Sequence, residues 1–410
     1  MRRPASDLAP KGFFMQRRQL LAALAPALAA TTASALETGR DLGEPRRPYG
    51  ERAATEQGST RFFGASATPG TGASRTPLQD AMGIITPSSL HFERHHSGVP
   101  TIDPARHELL IHGLVDRPLI FSMSELRRMR SVSRIHFIEC AGNSGREHAG
   151  NPGETAQKSH GLVSCSEWTG VPLSELLEAA GVQREAHWIV AEGADAARHS
   201  RSIPIAKAMD DVLVAYGQNG EAVRPEQGYP LRLLVPGWEG NVNVKWLHRL
   251  QLSRGPAMSR DEAASYTDLM PDGRAWQFSF EMDVKSVIIK PSGGQRLSRP
   301  GSQEIVGLAW SGRGKIAHVE VSSDGGTTWR AATLDTPVLP MAITRFSSPW
   351  DWRGEDTWLL SRATDETGDI QPARAMLVKA RGLNSGPDGF NHYNGIKAWH
   401  VKSDGGVSHV

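Results

Sequence analysis

Cysteine is almost missing from this chain: two thiols, Cys140 and Cys165, in 410 residues. Two are too few for the disulfide framework of a small secreted domain, or for a four-thiolate zinc or iron–sulfur centre. Neither C-x-x-C nor the haem-attachment pattern C-x-x-C-H occurs, so in a redox protein of this composition the electrons must leave through a separate protein. Charge of one sign is also lacking. A formal net charge of +2, with 22% charged residues, gives no electrostatic basis for nucleic-acid binding. The Ala/Leu run that ends at Ala30 is only about half the ~20 apolar residues a membrane-spanning helix needs.

What is present begins with length, since 410 residues exceed one ordinary core and fit two domains with tails. Gln16-Arg17-Arg18-Gln19-Leu20-Leu21, the Ala/Leu run and the small residues Ala33-Ser34-Ala35 read as a twin-arginine export signal over residues 1–35. Such signals carry proteins already folded, often around a cofactor, which points to the periplasm. Residues 36–87 are rich in Gly, Arg, Thr, Ser and Pro without sustained apolar periodicity, and predict a poorly ordered extension.

From 88 to 260 short apolar runs alternate with helical stretches, which predicts a mixed α+β domain. Ser122 with Glu125 forms a capping box ahead of Leu126, and Ser174 precedes an apolar-periodic run from Glu175. Residues 261–283 read as a linker. From 284 to 410 the texture is strands and turns, with Asp324-Gly325-Gly326 as a hairpin signal, and predicts an immunoglobulin-like β-sandwich.

The chemistry concentrates at Ile138-Glu-Cys-Ala-Gly-Asn-Ser144. Cys140 ends an apolar strand and is followed by residues that let the backbone turn sharply and leave the sulfur accessible. A single thiolate suffices for a soft redox metal when an organic cofactor supplies the other sulfur ligands. The alternative is a buried, inert thiol. Cys165 reads as structural, and a Cys140–Cys165 disulfide is open on spacing alone.

Cys140-Ala-Gly-Asn143 resembles the metal-ligand motif of the sulfite oxidase family of molybdenum enzymes, and the resemblance spans nearly all of residues 88–410. His91-Phe-Glu-Arg-His-His96, Glu192-Gly-Ala-Asp195, Gly228-Tyr-Pro-Leu-Arg232 and Asn243-Val-Lys-Trp-Leu247 follow in that family's order. Val319-Glu-Val-Ser-Ser-Asp-Gly-Gly326 with Trp329 is similar to its dimerisation domain. The resemblance implies Mo-molybdopterin as cofactor, with Cys140 as the metal ligand. It implies His91, Phe92, Arg94, His95, Asp195, Gln227, Arg232, Asn243, Val244 and Lys245 as cofactor-binding residues. Arg232 and Lys245 suit the pterin phosphate and His95 the ring. A zinc site is the rival reading of His91, His95 and His96, although no carboxylate or cysteine of suitable spacing completes it.

Tyr266 occupies the place of the family's active-site tyrosine. Arg94 keeps its position, whereas Gly145 stands where sulfite oxidases carry an arginine and Gln227 where they carry a histidine. Arg146 is expected to swing toward the vacated place, and Arg381 to supply a further substrate arginine. Loss of one anion clamp suggests a substrate bulkier or less charged than free sulfite. Among branches of the family the resemblance is strongest to the one that oxidises sulfane sulfur on a carrier protein by oxygen transfer at molybdenum. What it implies is a homodimer, a c-type cytochrome as electron acceptor and a sulfur-carrier protein as substrate, with a dehydrogenase for free sulfite as the alternative.

Overall fold

The apolar runs of the first half pair into two sheets with a helix between them. In this computed structural model, which describes residues 48–410 apart from 57, 67 and 384–389, the first sheet has the strand order Glu221–Ala222, Leu213–Gln218, Val163–Pro172, Val132–Glu139. Arg232–Leu234 also pairs with Leu213–Gln218. The second sheet runs Leu119–Ser122, Glu108–Gly113, Leu247–Ser253, Trp188–Gly193, Ser200–Pro204, and only its Glu108–Gly113 and Leu247–Ser253 pair is parallel. Leu173, Leu176, Leu177 and Ala180 recur at helical spacing on the helix Leu173–Ala180 and are fully buried. They join Leu109 and Ile111 of the second sheet and Val171, Val214 and Leu233 of the first in one core. The capping box at Ser122 forms as expected, with Glu125 N–H donating to Ser122 Oγ and Ser122 N–H to the Glu125 carboxylate. Ser174 does not cap its helix. The chain already turns at Pro172, where Leu173 N–H is held by Val212 O, so Ser174 falls in the first turn.

The second half is a two-layer sandwich of antiparallel sheets. One layer is Lys285–Lys290, Gly301–Trp310, Thr344–Trp352, Thr333–Leu334; the other is Arg330–Ala331, Ile316–Ser322, Thr357–Asp365, Ala398–Val401, Val407–His409. Gly325 and Gly326 make the expected turn at φ +73° and +92°, backbone angles that side chains oppose. The two halves are not independent. Phe137, Val163 and Cys165 of the first half share a core with Val287, Leu308, Trp310, Val319 and Phe346 of the sandwich, and residues 54–410 form one compact unit. Among the described residues no helix is long and apolar enough to cross a membrane.

Residues 1–35, with the export signal, lie outside the described residues. The expectation of a poorly ordered 36–87 needs correction over its later part. Phe62–Phe63 and Gly72–Arg75 form a three-stranded antiparallel sheet with Glu93–His95, while Leu78 is buried in the shared core. The signal was weak because these strands are only two to four residues long and their pairing partner is distant in sequence. Residues 261–283 are likewise more than a linker: a turn of helix, Asp261–Ser265, leads into a hairpin of Thr267–Leu269 and Ala275–Gln277.

Candidate active site

Cys140 is placed by a charged knot beneath it. Glu139, the last residue of its strand and fully buried, accepts from Lys285 Nζ at 2.6 Å, Asn143 Nδ2 at 2.9 Å and Trp310 Nε1 at 2.6 Å. Cys140 N–H donates to Leu162 O at 2.9 Å, and Leu162 N–H returns to Asn143 Oδ1 at 3.1 Å. The chain then reverses through Ser144, whose φ of 58° is left-handed, into the short helix Gly145–His148. Across from it Gly240 approaches so closely that a Cβ would lie 2.9 Å from Glu139 O and 3.3 Å from Cys140 Cα. The segment 391–393 of the second half closes the other side: His392 N–H donates to Ala141 O at 2.8 Å.

Above the sulfur opens a cavity that is partly open to solvent. His91, Phe92, Arg94, His95, Cys140, Asp195, Gln227, Arg232, Asn243, Lys245 and Tyr266 all line it. The first sheet delivers Cys140 and Arg232, the strand Glu93–His95 delivers Arg94 and His95, and the turn after Trp188–Gly193 delivers Asp195. Three of the expected residues are elsewhere. Val244 points into the apolar core between the sheets. Arg146 is exposed and does not line the cavity. Arg381 is buried between the rings of Trp276 and Phe390 and pairs with Asp283 at 3.3 Å. Its guanidinium donates to His392 O at 3.0 Å, so it braces the segment that holds Ala141 instead of facing a substrate.

The structure adds His96, His199, Asn241 and Trp246 to the lining. His199 stacks on His96 with ring centres 5.9 Å apart; its Nδ1 lies 3.1 Å from Asp261 and its N–H donates to Asp195 at 3.0 Å. Spacing was its only available signal: four residues after Asp195, it is one turn away. Among the described residues no three His, Cys, Asp or Glu side chains converge to hold a metal ion, and both cysteines are free thiols. His91, His95 and His96 therefore offer no zinc site.

The cations of the cavity are its clearest electrostatic feature. Arg232 is buried; its guanidinium donates to Gln227 O and Asn243 O at 2.9 and 3.1 Å, and its Nε has no acceptor. Burial alone pulls it down to about 9. Lys245 lies well below the usual lysine range, through burial first and then repulsion from Arg232. It donates to His95 Nδ1 at 2.9 Å and to the carbonyls of Arg94 and Glu226. Burial and the charge of Lys245 hold His95 neutral, at about 3, with Nε2–H free to donate to Glu93 at 2.7 Å. Two buried cations that repel one another require an anion, and a pterin phosphate meets that requirement. His91, also pulled by burial to about 3, keeps an unpartnered Nε2 for a ring N–H. Burial pushes the Cys140 thiol up against the pull of Arg94, so a thiolate there at neutral pH needs a metal cation on the sulfur. The donor set fits a pterin-held metal.

Tyr266 stays protonated, because burial and the sulfur of Cys140 both oppose its ionisation. Its ring lies 4.6 Å from the Arg201 guanidinium, which Glu239 and Glu262 hold at 3.0 Å each, and its hydroxyl is 3.5 Å from His96 Nε2.

Comparison with known proteins agrees with this geometry. Residues 96–260 match the oxidoreductase molybdopterin binding domain and residues 276–387 the Mo-co oxidoreductase dimerisation domain. The sulfite oxidase of Gallus gallus is 31% identical over 328 residues, 74% of this chain and 71% of that protein. This chain belongs to the sulfite oxidase family. Its cofactor is accordingly Mo-molybdopterin. NADH nitrate reductases of Ulva prolifera and Solanum lycopersicum are 30% and 34% identical, but the chain spans only about two fifths of their length, 39% and 38%. Among solved structures the sulfane dehydrogenase SoxCD from Paracoccus pantotrophus superposes with a TM-score of 0.88 at 44% identity, covering 90% of this sulfite oxidase family chain and 96% of that one.

Proposed function

We propose that this chain is the molybdenum subunit of a periplasmic sulfane dehydrogenase, which oxidises sulfur held on a carrier protein and passes electrons to a c-type cytochrome. The observation that carries the reading is the 44% identity to sulfane dehydrogenase SoxCD over nearly the whole of both chains, against 31% to a sulfite oxidase. The twin-arginine pattern supports the compartment, and the match to the dimerisation domain supports a homodimer through the sandwich.

Cys140 would hold the metal, with Arg232, Lys245, His91 and His95 around the pterin and its phosphate, and Asp195, Gln227 and Asn243 fixing the backbone of the cradle. The bound cofactor supplies two-electron oxygen-atom chemistry at sulfur. Arg94, fixed by hydrogen bonds to the carbonyls of His95 and Gly72 at 2.6 and 3.4 Å, presents positive charge next to Cys140. Tyr266 donates its hydroxyl proton in a hydrogen bond toward the reacting sulfur group, and neutral His96, held by burial at about 4, can accept a proton beside it. Replacing Arg232 with Gln should lower molybdenum and pterin content markedly, since charge-assisted hydrogen bonds are worth about one to two powers of ten in affinity. Metal analysis of purified protein checks this; full occupancy in Arg232→Gln would remove Arg232 from the cradle.

The substrate is tested by steady-state kcat/KM for free sulfite and for a carrier-bound persulfide, with a c-type cytochrome as acceptor. The wild type is expected to favour the carrier-bound form. Gly145→Arg restores a cation and fills space at the start of the helix after Cys140, and should shift the ratio toward sulfite by about tenfold or more. A wild type efficient on sulfite and indifferent to the carrier would make it a sulfite dehydrogenase.

A further inference from the structure

The strand Ser200–Pro204 lies at the edge of the second sheet, and its free-edge N–H groups need acceptors. Two consecutive acids in the turn before Tyr266 supply them: Ser202 N–H donates to Glu262 at 2.7 Å and Ser200 N–H to Asp261 at 3.3 Å. The far side of that turn is closed as well, where Thr267 Oγ1 and Gln277 Nε2 both donate to Glu262 O, at 2.6 and 3.1 Å. Between the two serines stands Arg201, whose side chain is fully buried. Its Nε lies 3.0 Å from the Glu262 carboxylate, and its Nη2 donates to Glu239 at 3.0 Å. The guanidinium carbon sits 4.6 Å from the centre of the Tyr266 ring. One guanidinium thus joins the turn that carries Tyr266 to the loop that carries Gly240 and Asn241, the wall packed on Cys140.

We propose that Arg201 is a positioning residue that fixes the ring of Tyr266, and with it the hydroxyl, relative to Cys140 across the cavity. Tyr266 and Cys140 both line that cavity and Arg201 does not, so Arg201 acts on a substrate only through the tyrosine. The tyrosine needs such a hold. Among the described residues its hydroxyl has only the 3.5 Å approach of His96 Nε2, too long to aim it, so the ring must be fixed from behind. A guanidinium against the face of an aromatic ring is attracted to its electron-rich surface. The bridge is also balanced in charge. Glu239 accepts from Asn241 Nδ2 at 2.8 Å and faces His392 Nε2 at 3.1 Å, while His392 Nδ1 lies 3.1 Å from Glu281 O. With an acceptor at each nitrogen His392 is held as the imidazolium, which sets two cations against the carboxylates of Glu239 and Glu262, all four buried. Moving any one of them strands a buried charge, so the set holds a single arrangement.

This inference rests on the sulfur-oxidising reading, and its test separates the two. R201M alone would strand Glu262, so the working variant combines R201M with E262Q: Glu239 keeps His392, and the new amide oxygen can still accept from Ser202 N–H. Holoenzyme labelled with 3-fluorotyrosine is followed by fluorine NMR, the Tyr266 line being the one that Y266F lacks. In the paired variant that line should shift and broaden while the other tyrosine lines stay. Turnover per bound molybdenum should fall about tenfold with KM nearly unchanged, because the hydroxyl acts on the reacting group and not on binding. In the Y266F background the same two substitutions should cost nothing further. R201K keeps a cation at the ring but cannot bridge two carboxylates, so it has to move the line as well and serves if the paired variant does not fold. A merely structural role would give losses that add to that of Y266F, and that result overturns the proposal, as does a Y266F enzyme with wild-type kcat. An unmoved Tyr266 line in a chain that does oxidise sulfur defeats Arg201 and leaves the function standing. A moved line in a chain that oxidises neither sulfite nor persulfide defeats the function and leaves the hold on Tyr266 standing.

Discussion

Cys140→Ser is expected to reduce activity to background and to remove one sulfur from the metal's ligand shell, whereas Cys165→Ser should keep nearly full activity. A serine hydroxyl is a harder and far less acidic ligand than a thiol and does not replace a soft thiolate. The two cysteines differ in setting. Cys140 is half-buried and lines the cavity. Cys165 is fully buried opposite Phe137 in the shared core, where burial pushes its thiol up to about 12. Its replacement puts a hydroxyl among apolar neighbours at a cost of about 1–3 kcal/mol, which lowers stability and leaves the chemistry alone. X-ray absorption at molybdenum and steady-state turnover decide the matter: an active Cys140→Ser enzyme with an unchanged sulfur count would sink the assignment.

The largest loss of stability is expected from Lys285→Met. Lys285 comes from the sandwich and Glu139 from the strand leading to Cys140, both essentially inaccessible to water and 2.6 Å apart. Removing the lysine strands a buried carboxylate with only Asn143 and Trp310 as donors. Breaking such a pair costs about 3–5 kcal/mol, or about 4–7 °C in melting temperature for a protein of this size. Because Glu139 precedes Cys140, the single variant should also lose metal. The double variant Glu139→Gln with Lys285→Met removes both charges and should recover much of the stability, since the penalty lies in the orphaned charge. Thermal melts of the two singles and the double measure the coupling, and additive losses would show that the two residues act independently.

Part of the site is contiguous, and that part was legible. Cys140 and the residues that let the chain turn after it lie within one short segment, and a strand end followed by Ala-Gly-Asn says where the sulfur must be. His91 to His95 and Arg232 to Lys245 are likewise short segments whose residue types match phosphate and ring recognition, and the structure brings them round one cavity. Val244 was misplaced for a local reason: a motif names consecutive residues, and here Val244 turns into the core while its neighbours line the cavity. Arg381 was misplaced for a distant one. Nothing near it in sequence announces that Trp276, Phe390 and Asp283 will enclose its guanidinium.

The sequence by itself determined much of the chemistry this chain can support: one accessible thiol, no haem attachment pattern, and an α+β half followed by a β-rich half, with the cations for a phosphate supplied by the resemblance to sulfite oxidases. Local chain physics suffices for that, because turn residues, apolar alternation and ligand type act over a few positions. Only the tertiary structure decided what surrounds the sulfur. It joined Lys285 to Glu139 across 146 positions and set His392 against Ala141. Such contacts form because buried charges must find partners and because Gly240 leaves room for close approach, and neither requirement leaves a mark at fixed spacing along the chain.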